Sequence, residues 1–230
     1  MWEYLYNDVF FTWSSKITHL GIQSWLIPVG ASVFVKKWTP VHRRILAFVV
    51  FSILMEHVST NPKTEFLFHE SINAPWYHLL TPLLFLLMSN LFLPYLAVER
   101  FRWLRWGFPL AFLLVALPGI FDEEKFYQFP GLTVGLYCVL GIFIVLAYFI
   151  YLLKLLTVNR LELLPMFWVA SGMLIYLAGN FLLWASIVVI TYDGDFFSSI
   201  YRLNGGFTIL LNCFFTIALL IHQKGEHAKT

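Results

Sequence analysis

Seven long apolar stretches alternate with short polar breaks along this chain. They run from about residue 17 to 35, 45 to 59, 76 to 97, 103 to 121, 131 to 156, 163 to 190 and 204 to 222. A bilayer core needs about 20 apolar residues per spanning helix, so seven such runs consume most of a 230-residue chain. The pattern predicts an all-α membrane protein. Its short breaks predict an up-down bundle of seven transmembrane helices, with sequential helices as antiparallel neighbours. Three parts follow: an aromatic, amphipathic N-terminal segment over 1–16 lying at the headgroup level, the seven-helix domain over 17–223, and a tail over 224–230. Pro28 is expected to kink the first span, and Gly131, Gly135 and Gly141 mark the fifth as a close-packing helix.

Charge orients the bundle. Lys36, Lys37, Arg43, Arg44, Arg100, Arg102, Arg105, Lys154, Arg160, Lys224 and Lys229 fall on one side of the seven spans. Lys16, Lys63, Lys125 and Arg202 fall on the other, a ratio of 11 to 4. Cytoplasmic loops carry the excess of Lys and Arg, so the N-terminus is expected outside and the C-terminus in the cytoplasm. The basic clusters suit anionic lipids. Arg43, Arg44, Arg100, Arg102 and Arg105 also offer a cytoplasmic surface to a protein partner.

Composition agrees: 60% of residues are hydrophobic and 12% charged, against roughly 25% charged in soluble domains. The net charge of +2 is loop asymmetry, with no sign of nucleic-acid binding. Cys138 and Cys213 both fall inside apolar runs, where thiols are packing residues more often than redox pairs.

Polar groups inside a bilayer are costly, so each needs a reason. With the N-terminus outside, Glu56 and His57 lie near the outer end of span two, and His78 and Thr81 in the outer part of span three. Thr133 and Tyr137 occupy the outer half of span five, Tyr176 and Asn180 the middle of span six, with Trp184 one turn above. Asn204, Thr208 and Asn212 descend one face of span seven at steps of four. The inner half offers mainly Asn90 and Thr216. This asymmetry predicts an outward-facing pocket built from Glu56, His57, His78, Tyr137, Tyr176, Asn180 and Asn212. In it the two Tyr wall the site, the two Asn orient a ligand, and Glu56 pairs charge with His57 or His78. The competing reading makes Asn180 and Asn212 interhelical hydrogen bonds and places the Glu56 and His78 groups at the headgroup boundary.

Catalytic patterns are sparse. Glu56, His57 and His78 are zinc-type donors, which makes an intramembrane metal-dependent hydrolase one alternative. However, the chain has no HExxH, and it lacks the paired late-span histidines of seven-helix hydrolases of the alkaline ceramidase type. No nucleophile elbow, phosphate loop or dinucleotide fingerprint occurs. Span seven contains no lysine, which removes a retinal Schiff base. No cofactor is called for.

The stretches Ile72-Asn73-Ala74-Pro75-Trp76-Tyr77-His78, Phe167-Trp168-Val169-Ala170-Ser171-Gly172, Ile175-Tyr176-Leu177-Ala178-Gly179-Asn180 and Leu210-Leu211-Asn212 resemble small seven-helix membrane proteins of Bacteroidota-type bacteria. Some of these are similar to the membrane regions of sensor histidine kinases. Members often carry Tyr and Glu after the span-three histidine, where this chain reads Leu79-Leu80-Thr81-Pro82. The resemblance implies a seven-helix fold and a sensory setting in a bacterial inner membrane. The expected function is therefore a membrane sensor or signal relay for a small or lipid-like ligand, acting through a separate partner. A non-catalytic subunit of a membrane complex is the alternative.

Overall fold

The computed structural model describes residues 11–60, 74–96, 104–122, 126, 130–154, 160–189 and 194–221. Among these every regular element is helical: α1 (Phe11–Ser24), α2 (Leu26–Ser32), α3 (Pro40–Thr60), α4 (Ala74–Leu96), α5 (Leu104–Phe121), α6 (Gly131–Lys154), a 3₁₀ turn (Leu161–Leu163), α7 (Pro165–Val189) and α8 (Gly194–Leu220). The aromatic stretch assigned to 1–16 enters α1 at Phe11, which continues without a break to Ser24. Residues 1–10, Arg100, Arg102 and the tail over 224–230 lie outside the described residues.

Four helical segments are long and apolar enough to cross a bilayer: Pro75–Leu96, Gly131–Lys154, Pro165–Trp184 and Arg202–Leu220. Trp106–Phe121 is a shorter apolar helix. Only 39–44% of each long segment is buried. Leu114, Phe121, Leu132, Phe143, Leu153 and Leu182 are among the large apolar side chains pointing outward from several helices. Apolar surface spread this widely has lipid as its natural solvent, and the chain is a multi-pass, all-α membrane protein.

Local chemistry sets the helix ends. Pro28 cannot donate to the carbonyl four residues back, and the helix breaks at Trp25, one residue after that carbonyl, separating α1 from α2. The Ser24 hydroxyl donates to the Gly21 carbonyl at 2.6 Å beside the break. α3 begins earlier than the apolar pattern indicates. Thr39 caps it, Pro40 fills the first helical position, and the Thr39 N–H donates to His42 Nδ1 at 3.2 Å. The His42 N–H returns a longer bond to Thr39 Oγ1 at 3.5 Å, so histidine takes the reciprocal place usually held by Glu or Gln. Arg43 and Arg44 are therefore the fourth and fifth residues of α3, not part of a loop.

The helices close into a ring. α8 packs on α1, α2 and α7; α7 packs on α6, α6 on α4, α4 on α3, and α3 on α2. The expectation that sequential helices neighbour one another fails at α5, whose substantial packing among the described residues is against α4 alone. Aromatic stacking explains the exception. Fully buried Phe85 of α4 stacks on Phe112 of α5 with centroids 4.2 Å apart, and its ring meets the edge of Tyr137 in α6 at 6.3 Å. α4 thus stands between α5 and α6.

Glycines set the closest approaches. A Cβ on Gly21 would lie 2.8 Å from Gly205 Cα, so α1 and α8 cross backbone to backbone. Gly172 and Gly179 of α7 receive Phe214 and Phe207 of α8, two knobs one heptad apart on both helices. In the fifth span Gly141 meets Leu177 and Met88, whereas a side chain at Gly135 would enter open space.

Candidate functional site

The ring encloses a cavity of about 70 Å³. Its lining comes from α3 (Phe48, Ser52, Met55, Glu56), α4 (Tyr77, Thr81, Leu84), α6 (Val134, Tyr137, Cys138), α7 (Tyr176, Asn180, Trp184) and α8 (Asn204, Leu211), with Trp25 from the α1–α2 break. α5, outside the ring, contributes nothing. The polar lining lies toward the end where α3 and α7 finish and where α4, α6 and α8 start. The opposite end is filled by rings: Tyr148 packs against Phe92 at 5.6 Å and Tyr95 at 5.5 Å, and Phe149 against Phe167 at 6.1 Å.

Helical spacing makes the lining. Ser52 and Glu56 are one turn apart, as are Tyr77 and Thr81, and Tyr176, Asn180 and Trp184 descend α7 at steps of four. Phe215 is wholly buried behind the cavity, 6.4 Å from Trp25 and 5.7 Å from Phe48, and holds the helix break against α3 and α8. Tyr77 and Trp184 meet edge to face at 6.5 Å and join α4 to α7 in the wall.

Of the seven residues singled out from the sequence, the structure brings four together: Glu56, Tyr137, Tyr176 and Asn180. The other three lie elsewhere. His57 is exposed, one residue round the helix from Glu56. His78 is buried on the α5 side of α4, where a Cβ on Gly119 would touch its ring at 2.8 Å and Phe126 lies 5.8 Å away. Asn212 is completely buried and its Nδ2 donates to Ser24 Oγ at 2.7 Å. Because the Ser24 hydroxyl proton is committed to Gly21, Ser24 can only accept there, which fixes the orientation of the Asn212 amide. Asn212 is thus a clasp between α1 and α8. Asn180 makes no such clasp; its Nδ2 donates to the Tyr176 carbonyl of its own helix at 2.9 Å.

Tyr77, Thr81, Ser52, Trp184, Asn204 and Trp25 are lining residues outside the predicted set. Extending each polar residue by one turn finds several of them: Ser52 from Glu56, and Trp184 from Asn180. Trp25 has no such signal, since its place follows from the break that Pro28 imposes.

Among the described residues the cavity offers one carboxylate, hydroxyl and amide groups, and six aromatic side chains. Among the described residues no group of three or more His, Cys, Asp or Glu side chains is placed to hold a metal ion. Cys138, in the wall, and Cys213, facing outward, are free thiols. No family model, curated protein or solved structure matches this chain.

Proposed function

We propose that this is a seven-span protein of a bacterial inner membrane, N-terminus outside, that binds a small ligand in the ring cavity and relays its presence to a separate partner. The observation that carries this reading is the origin of the lining: five helices and the Trp25 break converge on one space, so a ligand there touches every member of the ring. Under the orientation set by the basic residues, the polar end of the cavity is the outer end. A volume near 70 Å³ favours a small ligand over a lipid-like one.

α3 supplies the route inward. Arg43 and Arg44 stand near its start and Glu56 lies 12 residues beyond Arg44, a rise of about 18 Å along one helix. Arg side chains snorkel to the interface while Glu56 faces the cavity, which lets a helix with charges near both ends span the membrane. A shift of α3 on binding would be presented at the cytoplasmic face beside Arg43 and Arg44.

Affinity purification in mild detergent from the native host, with mass spectrometry of everything retained, tests the relay. A stoichiometric partner lost on replacing Arg43 and Arg44 with Ala is the expected result. A protein that purifies alone, with signalling unchanged in that double variant, would sink the relay. The subunit reading draws on α5, which presents Trp106, Leu110, Leu114 and Phe121 outward. Its mark would be a partner lost on altering α5 instead. The hydrolase reading is not carried forward, because His57 and His78 face away from the Glu56 cavity.

A further inference from the structure

Resting on the cavity as a ligand site, we infer that its ligand is a small organic ammonium ion, held by Glu56 inside an aromatic cage. Among the described residues the lining contains one carboxylate, Glu56, and no Lys, Arg or His. Trp25, Phe48, Tyr77, Tyr137, Tyr176 and Trp184 line the same cavity. Aromatic faces carry negative quadrupole potential, and desolvated rings attract ammonium groups, Trp most strongly. Trp25, Tyr137 and Trp184 are each more than nine-tenths buried, so water does little to screen that attraction.

Other ligand classes fit less well. Among the described lining residues an anion would meet the Glu56 carboxylate and the aromatic rings and no basic residue. A purely apolar ligand would lie against the Glu56 carboxylate, the Thr81 hydroxyl and the Asn180 amide and offer them no polar group in return. An ammonium group answers both the carboxylate and the rings. Asn204, also in the lining, has a side-chain oxygen buried without a hydrogen-bond partner, an acceptor that suits an N–H donor.

Size narrows the class. A cavity of about 70 Å³ is far below the roughly 300–1,000 Å³ of pockets that take drug-sized ligands, so the ammonium ion it holds is a small one. Methylammonium, ethanolamine and tetramethylammonium are small members of the class. The same ammonium chemistry is found free in solution and on the ethanolamine headgroup of a phospholipid.

The test is a titration of the purified full chain in phosphatidylglycerol nanodiscs, read by tryptophan fluorescence and thermal unfolding. The probes are methylammonium, ethanolamine and tetramethylammonium, with tert-butanol as neutral isostere and acetate as anion. Saturable binding of the cations, weakened at least tenfold by Glu56→Gln and by Trp184→Leu but unchanged by His57→Ala, is the expected result. Should Glu56→Gln fail to fold, Tyr176→Leu replaces it, since the cage requires that ring as well. Equal cation binding in the wild type and the Glu56 or cage variants, or no saturable cation binding, overturns the inference. If tert-butanol binds while the cations do not, the cavity remains a ligand site and only its cationic character is lost. If no probe binds and Ser52→Leu fills the space without changing either signal, the ligand-site reading falls too. Repeating the titration in phosphatidylethanolamine nanodiscs separates the sources: blunted ethanolamine binding there identifies the headgroup, and unchanged binding a free amine.

Discussion

Gly21→Ala adds one methyl group at the tightest backbone crossing in the bundle. Its Cβ would fall 2.8 Å from Gly205 Cα and 3.1 Å from the Gly205 oxygen. Carbon atoms settle at about 3.5–4.0 Å, so α1 and α8 must part by roughly 1 Å. The Asn212–Ser24 bond, 2.7 Å long and lying one turn along α1 and two along α8 from the crossing, would stretch as the helices part and pass beyond useful hydrogen-bond range. Overpacking costs about 1–3 kcal/mol and an interhelical bond in a bilayer about 0.6–1.7 kcal/mol. Alanine's better helix propensity returns about 0.5–1 kcal/mol, which leaves a net loss of about 1–4 kcal/mol. Gly206→Ala and Gly30→Ala are the controls, because a Cβ at either position meets nothing within 4 Å. Both should be neutral or slightly stabilising. Unfolding by SDS titration from mixed micelles, followed by circular dichroism, measures all three. A cycle with Asn212→Ala adds a second check: that substitution should cost about 1 kcal/mol less in the Gly21→Ala background, where its bond is already broken. Equal stability of Gly21→Ala and Gly206→Ala would refute the crossing geometry.

Three further outcomes follow from the packing. Gly172→Ala meets Phe214 at its Cβ, 2.7 Å away and tied to the backbone, whereas Gly179→Ala meets the far edge of the Phe207 ring. Gly172→Ala should therefore be the more destabilising by about 1 kcal/mol, and only Gly179→Ala should be rescued by Phe207→Leu in the same SDS titration. Asn212→Leu should cost about 0.6–1.7 kcal/mol of stability through the lost clasp, while leaving any cavity ligand bound. His78→Ala should loosen α5, seen as faster proteolysis near Gly119, without altering ligand binding; a binding defect equal to that of Asn180→Leu would place His78 in the site after all.

The helical class and the apolar runs were legible because hydropathy over some 20 residues is a strong signal. Packing order was not. α5 and α6 are adjacent in sequence, yet α4 stands between them, and that depends on where Phe85, Phe112 and Tyr137 meet. The start of α3 was hidden because Arg43 and Arg44 read as a loop, although Thr39-Pro40 is a usable start signal. At the site, depth along the helix was readable but rotation about its axis was not. Glu56 and His57 share a depth and differ by one residue, about 100° of rotation, which sends Glu56 inward and His57 outward. The same rotation separates Tyr77, in the wall, from His78, against α5. Steps of four along α8 correctly put Asn204, Thr208 and Asn212 on one face, but that face runs from the cavity at Asn204 to the α1 crossing at Asn212.

The central claim is that the ring cavity holds a small ligand, and native mass spectrometry of the protein released gently from its own membrane tests it most directly. The account predicts a discrete small-molecule adduct on the wild-type chain that disappears in Asn180→Leu and Ser52→Leu but persists in Asn212→Leu. A wild-type chain without an adduct, whose melting is unchanged when Ser52→Leu fills the cavity, would contradict it.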